Sequence, residues 1–226
     1  MFQSRGVNIW DHEMPIRFGG IPLWHRMTVI RLTNGGLVVH SPTRLDLASQ
    51  EEFQKLGQIV AIIAPSWWHD LYLREYLSAY PDARLYGAPT LVRWNQTLPF
   101  AEVLDDSSPP LWTDEIDQVH VLGIGLFLDE IVFYHRRSRS LIVADFLFNL
   151  SEKDAWITRT MGSLVIGPFP VADLRVFIGL PLQIADACAR RWSGYLIGTS
   201  IRSSLATGPL SKTTARKSFA RHSDGS

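Results

Sequence analysis

Three features of the sequence predict an α/β (α+β) fold in which a hairpin leads into parallel βα units and further antiparallel strands follow. The β-branched apolar run at 58–64, bounded by Gly57 and Pro65, reads as a central strand buried on both faces. Strand-like and helix-like patterns then alternate through residue 94, the rhythm of βαβ units. From Val119 onward the apolar residues instead recur with period two in short stretches, as antiparallel pairing requires.

In chain order, 7–10 and 16–18 read as two short edge strands separated by Asp11, His12, Glu13 and Pro15 and closed by Gly19-Gly20. Residues 27–32 and 37–41 flank Asn34-Gly35-Gly36, and Asn-Gly supplies the positive φ of a tight hairpin. His40 ends the second of these strands just before Ser41-Pro42, where the ladder must stop because proline donates no hydrogen bond. It reads as a hydrogen-bonded histidine at a strand end, or as part of a pocket. Ser49-Gln-Glu-Glu52 has the form of a capping box opening a helix that Gly57 ends.

Behind the central strand lies Ser66-Trp-Trp-His-Asp70, followed by Leu73, Tyr76, Leu77 and Tyr80 at helical spacing. This places His69 and Asp70 at a strand-to-helix turn, a frequent address for sites in α/β proteins. Trp67 and Trp68 beside them are candidate pocket walls, or packing residues. Asp70 has a second explanation, since an acidic first-turn side chain gains about 0.3–1 kcal/mol from the helix dipole. A strand at 84–87 and a short helix to Trp94 continue the pattern, and Asp105-Asp106 reads as a solvated turn.

Residues 131–134 and 141–146 read as buried strands joined by a basic turn, and the second delivers a lone carboxylate, Asp145, at its end. His135 shares a face with Phe133 and Ile131 and reads as structural, hydrogen-bonded across the hairpin. The arginines of 136–139 read as solvated. Helices are expected at 152–156 and 182–192, a loop at 164–170, and a last strand at 195–198.

Composition narrows the function. Lys plus Arg equals Asp plus Glu at 22 each among 226 residues, so no overall positive field recruits nucleic acid or an anionic membrane. The one cysteine, Cys188, cannot form an internal disulfide, and no basic patch leads into a long apolar segment, which points to a cytoplasmic location. A small-molecule ligand is the partner expected, and the sequence is silent on oligomeric state.

Three motifs carry a resemblance. Arg26-Met-Thr-Val29 with Leu37-Val-Val-His-Ser-Pro42, then Ala64-Pro-Ser-Trp-Trp-His-Asp-Leu-Tyr-Leu73 with Tyr80-Pro-Asp-Ala83, and finally the Glu130 to Asn149 stretch resemble an uncharacterised family, domain of unknown function 4336, within the metallo-β-lactamase superfamily. The resemblance covers roughly residues 5 to 150. It implies a four-layer αββα sandwich of two mixed sheets flanked by helices, occupying 1–205, with 206–226 a basic tail or weakly ordered helix. It also implies a site at one sheet edge, where relatives in the superfamily hold zinc or iron and hydrolyse amide, thioester or phosphoester bonds with a metal-bound water.

The superfamily's ligand loop is His-x-His-x-Asp-His, and here only His69-Asp70 stands there, with Ser66 in a first-ligand position. Gly125-Leu-Phe127 replaces a Gly-His pair, and no histidine follows Tyr195-Leu-Ile-Gly-Thr199. Asp145 matches the bridging aspartate. The resemblance therefore implies His69, Asp70 and Asp145 as ligands of a single zinc or iron ion, with His69 and Asp145 catalytic and His40, Trp67, Trp68 and Asn149 lining the pocket. These departures favour a degenerate metal site in a catalytically silent or chemically atypical member, with His69 and Asp145 bonded to each other or to buried water; the alternative is a divergent metal-dependent hydrolase of ester, thioester or phosphoester bonds that uses this ligand set. A serine hydrolase is a third, weaker reading, because no Gly-x-Ser-x-Gly elbow is present. His12, His25, His120 and His222 fall outside ligand-like spacings and read as surface or turn residues.

Overall fold

The computed structural model describes residues 1–18, 21–124 and 128–145 together with the two-residue strand Arg202–Ser203. The first sheet has seven strands in sequential order: β1 (Gln3–Gly6), β2 (Ile9–Phe18), β3 (Ile21–Arg31), β4 (Leu37–His40), β5 (Ile59–Ala64), β6 (Arg84–Gly87) and β7 (Phe100–Val103). Pairing is antiparallel from β1 to β4 and parallel from β4 to β7. The second sheet contains β8 (Ile116–Ile124), β9 (Leu128–His135), β10 (Ser140–Ile142) and β11 (Arg202–Ser203), in the order β11-β10-β9-β8. Helices α1 (Leu47–Leu56), α2 (Leu73–Ala79) and α3 (Pro89–Trp94) connect the parallel strands.

Side-chain alternation sorts the first sheet into two cores. Ile30, Val38, Ala61, Ile63 and Tyr86 face the second sheet and pack with Trp112, Ile116, Ile131, Phe133 and Ile142. Their neighbours Val29, Leu37, Val39, Ile62 and Leu85 face the other way, onto Phe53, Leu73, Tyr76 and Leu91 of the three helices. Strand β5 contributes to both cores, so its sequence is apolar without interruption.

Most of the expected elements are present, with local differences that have physical causes. The two short edge strands are one ten-residue strand, β2, paired with β3 from Ile9 to Phe18. Pro15 is tolerated because β1 covers β2 only as far as Asp11, leaving that stretch an edge. The capping box at Ser49 is displaced: Asp46 is the N-cap of α1, accepting from the Ser49 N–H at 2.8 Å, and Ser49 lies buried in the first turn. The Asn34-Gly35 hairpin stands as expected, with Gly35 at φ +87°. Strand β10 ends at Ile142, short of the expected 146. The elements expected at 152–156, 164–170, 182–192 and 195–198, Asn149, the 125–127 segment and the 205/206 boundary lie outside the described residues.

The basic turn is less solvated than expected. Arg136 forms a bidentate pair with Asp117, at 2.9 and 2.7 Å, and also donates to the Asp114 carbonyl at 2.8 Å. His135 is structural as expected, with Nδ1 2.7 Å from Ser138 Oγ within the hairpin.

Gly57 ends α1 at φ +150°, and a Cβ there would lie 2.4 Å from the Gly35 carbonyl oxygen. Gly57→Ala should therefore cost more than about 1 kcal/mol, read as a lower urea midpoint with an unchanged slope. An unaltered midpoint would contradict the close approach of the two turns.

Candidate functional site

The site sits at the C-terminal ends of β4 and β5, where the first sheet meets the start of β9 and the residues after β10. Its framework is a buried carboxylate. Glu130, fully buried, accepts hydrogen bonds from the Ala144 and Asp145 N–H groups at 2.6 and 2.8 Å, and its backbone pairs with Ser66 in an isolated antiparallel bridge. Next to it the Ile131 N–H donates to the Pro65 carbonyl at 2.9 Å. The loop after β5 and the turn after β10 are thus fixed to each other through one side chain and the backbone beside it.

On this frame a continuous chain of hydrogen bonds forms. Ser66 Oγ donates to Asp145 Oδ2. Asp145 Oδ1 is 3.3 Å from His69 Nε2, and His69 Nδ1 is 2.6 Å from Ser41 Oγ. Ser41 Oγ is also 3.2 Å from His25 Nε2, which lies 3.0 Å from the Pro42 carbonyl. The chemistry of the partners assigns the protons. A carbonyl can only accept, so His25 carries its proton on Nε2; a carboxylate does the same for His69 Nε2. His69 Nδ1 is then a bare acceptor for the Ser41 hydroxyl.

The local backbone explains why these groups meet. Ser41 follows β4 directly, its N–H is taken by the Ile63 carbonyl at 2.8 Å, and it adopts φ +55°. A non-glycine residue in that region costs about 1–3 kcal/mol and persists only where its surroundings over-determine it. His25 shares the alternation of Met27 and Val29 on β3 and is 5% exposed, with its ring centroid 5.1 Å from that of His69. The side chains of His69 and Asp145 are each 10% exposed, whereas Ser41 and Ser66 expose nothing.

Burial shapes the ionisation of the cluster. Desolvation, and then the nearby His69, lowers His25 to about 4. His40 is lowered further, to about 3, by desolvation and then by His69 and His25. For Asp145 burial works upward, but the electrostatic pull of the His69 ring and the hydrogen bonds from His69 and Ser66 outweigh it and leave the carboxyl below the usual range.

Of the residues singled out in the sequence, His69 and Asp145 are brought into contact. Asp70 takes another direction: its carboxylate accepts from Asn95 Nδ2 at 3.1 Å, at the end of α3. His40 is buried edge-on to Phe133, with centroids 5.3 Å apart, and neither ring nitrogen has a hydrogen-bond partner among the described residues, in contrast to the hydrogen-bonded strand-end histidine expected. Trp67 is stacked on Trp94 at 5.6 Å, and Trp68 is 39% exposed beside His69.

Two histidines read as surface residues are not. His25 belongs to the network, and His120 Nε2 lies 3.0 Å from the buried Asp129, which also accepts from the Thr90 N–H at 3.1 Å. Sequence reasoning missed Ser41, His25 and Glu130 as contributors to the site. The period-two alternation of β3 was the available signal for His25, and an acid entering an apolar run was the signal for Glu130.

The fold family implies a metal here, and the donors found among the described residues do not fit one. Both nitrogens of His69, both oxygens of Asp145 and Nε2 of His25 already face partners within the chain. Among the described residues no group of three or more His, Cys, Asp or Glu side chains is placed to hold an ion, so His69, Asp70 and Asp145 do not form the expected ligand set.

Comparison with known proteins places this site in context. The profile of the family described as Domain of unknown function (DUF4336) matches residues 7–166. No curated protein matches the sequence. Solved structures with similar folds include the DIM-1 metallo-β-lactamase exposed to ceftazidime (15% identity, 79% of this chain and 93% of that one, TM-score 0.55). The TMB-1 structure is also similar (12% identity, 85% and 98%, TM-score 0.53). A third is the metal-soaked Flv1 flavodiiron core of Synechocystis sp. PCC6803 (10% identity, 85% and 53%, TM-score 0.52). At these identities the likeness establishes the fold, an αββα sandwich of the metallo-β-lactamase type.

Two expected outcomes follow. Glu130→Ala leaves two buried N–H groups without their acceptor and should cost about 1.5–3 kcal/mol or more, measured by urea denaturation; a loss under about 0.5 kcal/mol would show that Glu130 does not hold the two loops together. Acidification should also destabilise. His25, His40 and His135, the last lowered to about 4 mainly by desolvation, bind protons when unfolded at about pH 6.5 but not when folded until pH 3–4. Stability should fall from about pH 6.5 downward, by up to about 1.4 kcal/mol per pH unit for each histidine, and Asp145 adds to the loss below its unfolded value of about 3.9. A flat denaturation midpoint between pH 6.5 and 4.5 would contradict this.

Proposed function

We propose, for a chain that belongs to the family Domain of unknown function (DUF4336) and has the metallo-β-lactamase fold, that the strand-end site operates without a resident metal, as a chemically atypical small-molecule site. The observation that carries this reading is the engagement of His69, the best-placed ligand, at both ring nitrogens by Ser41 and Asp145. A metal would have to displace one of these partners before it could bind, and Asp70, the third expected ligand, is turned to Asn95.

In this reading Asp145 and His69 remain the central pair, as the sequence indicated, but they act on each other. Asp145 fixes the His69 tautomer, and Ser66 and Glu130 fix Asp145. No described helix is long and apolar enough to cross a membrane. The lone cysteine and balanced charge support a cytoplasmic protein that handles neither nucleic acid nor lipid surfaces.

Protein purified without affinity-tag metal should contain less than about a tenth of an equivalent of zinc or iron, and a chelator should leave its melting temperature unchanged. Stoichiometric metal that is lost in Asp145→Ala would establish the metal-dependent hydrolase instead. In the metal-free case Asp145→Ala should lower stability by about 1–3 kcal/mol, because Ser66 and His69 lose their buried acceptor.

A further inference from the structure

We propose that Ser41 is a nucleophile, activated by His69 and Asp145, that accepts acyl groups from small esters. The inference rests on the reading of a metal-free site and adds to it a reaction. Three features point to it. Ser41 Oγ, the His69 ring and the Asp145 carboxylate form one continuous relay, 2.6 Å at the serine end and 3.3 Å at the carboxylate end. With the His69 proton assigned to Nε2 by its carboxylate partner, Nδ1 faces the Ser41 hydroxyl at 2.6 Å, the placement a general base needs. Ser41 also sits at φ +55° immediately after a strand, a sharp turn reached without the flanking glycines of the usual elbow motif.

In the reaction, Ser41 Oγ bonds to the ester carbonyl carbon as its proton passes to His69 Nδ1. The C–O bond to the alcohol then breaks, and His69 returns the proton to the departing alkoxide oxygen. Water, deprotonated at the same nitrogen, attacks the acyl carbon. Ser41 Oγ leaves with that proton, and the carboxylic acid is released. Asp145 keeps the Nε2 proton throughout and stabilises the imidazolium. No outside oxidant or cofactor is required.

The approach is narrow. Ser41 exposes no surface, and the relay meets solvent at the His69 and Asp145 side chains, 10% exposed each. So narrow an approach favours small esters over bulky ones.

The test is reaction of the full chain with diisopropyl fluorophosphate, a small phosphorylating analogue of such an ester, read by peptide mass mapping. A covalent adduct on the Ser41 peptide is expected, at an unchanged rate after chelator treatment. Ser41→Gly, which removes the hydroxyl and suits the positive φ, should remain folded by circular dichroism and lose the adduct. His69→Gln should slow labelling at least about a hundredfold. No adduct at Ser41, or equal rates in His69→Gln, would overturn the proposal. Labelling of Ser41 in protein that proves to hold a stoichiometric metal would sink the metal-free reading and still support the nucleophile.

Discussion

Everything at the strand-end site depends on one buried carboxylate, Glu130, bonding to the backbone of residues it does not adjoin in sequence. A carboxyl group with no exposed surface is costly unless its oxygens are satisfied. Here both oxygens accept main-chain N–H groups, from Ala144 and Asp145. Since the Glu130 backbone is simultaneously bridged to Ser66, the same residue fixes the separation between the loop after β5 and the turn after β10. The Ser66 to Asp145 hydrogen bond is a consequence of that spacing, and so is the reach of Asp145 to His69.

The two cores explain why the frame is rigid enough for this. The inter-sheet core runs under the site as far as Phe133 and His40, and the helix-facing core holds α2, whose first residue Leu73 is fully buried. His69 is therefore anchored from both directions along the chain, by β5 before it and by Leu73 after it. The buried His40 is the exception to this economy. Its two nitrogens, without hydrogen-bond partners among the described residues and beside a phenyl edge, should cost stability, and burial pushes its pKa down to about 3, which favours the neutral ring.

Period and punctuation made most of the fold legible. The unbroken apolar run of β5, the Asn34-Gly35 turn and the helical spacing of Leu73 and Tyr76 each have one structural solution, and the structure adopts it. The extent of β2 was hidden by Pro15, because proline argues against a strand unless its neighbour is known to be absent. The N-cap of α1 was misplaced because Asp46 and Ser49 both suit that position locally, and only the burial of Ser49 decides. His69 and Asp145 were legible because strand ends collect functional groups in α/β folds. Ser41 and His25 were not, since their roles arise from a crossing of β3, β4 and the 66–70 loop that no local pattern encodes.

The same geometry bears on how such a site could differ from that of its metal-binding structural neighbours. A metal centre needs several donors aimed at one point, each with a free lone pair. A proton relay needs donors and acceptors arranged in sequence, each spent on the next. Ser66 donates to Asp145 and Asp70 is turned to Asn95, so neither carries a free lone pair toward His69 in this arrangement. Ser41 and His25 supply two groups that extend the line, on the far side of His69 from Asp145. The imidazole and the carboxylate are common to both designs. What separates the two is whether the neighbouring side chains converge with them or connect them in series, and in this chain they connect in series.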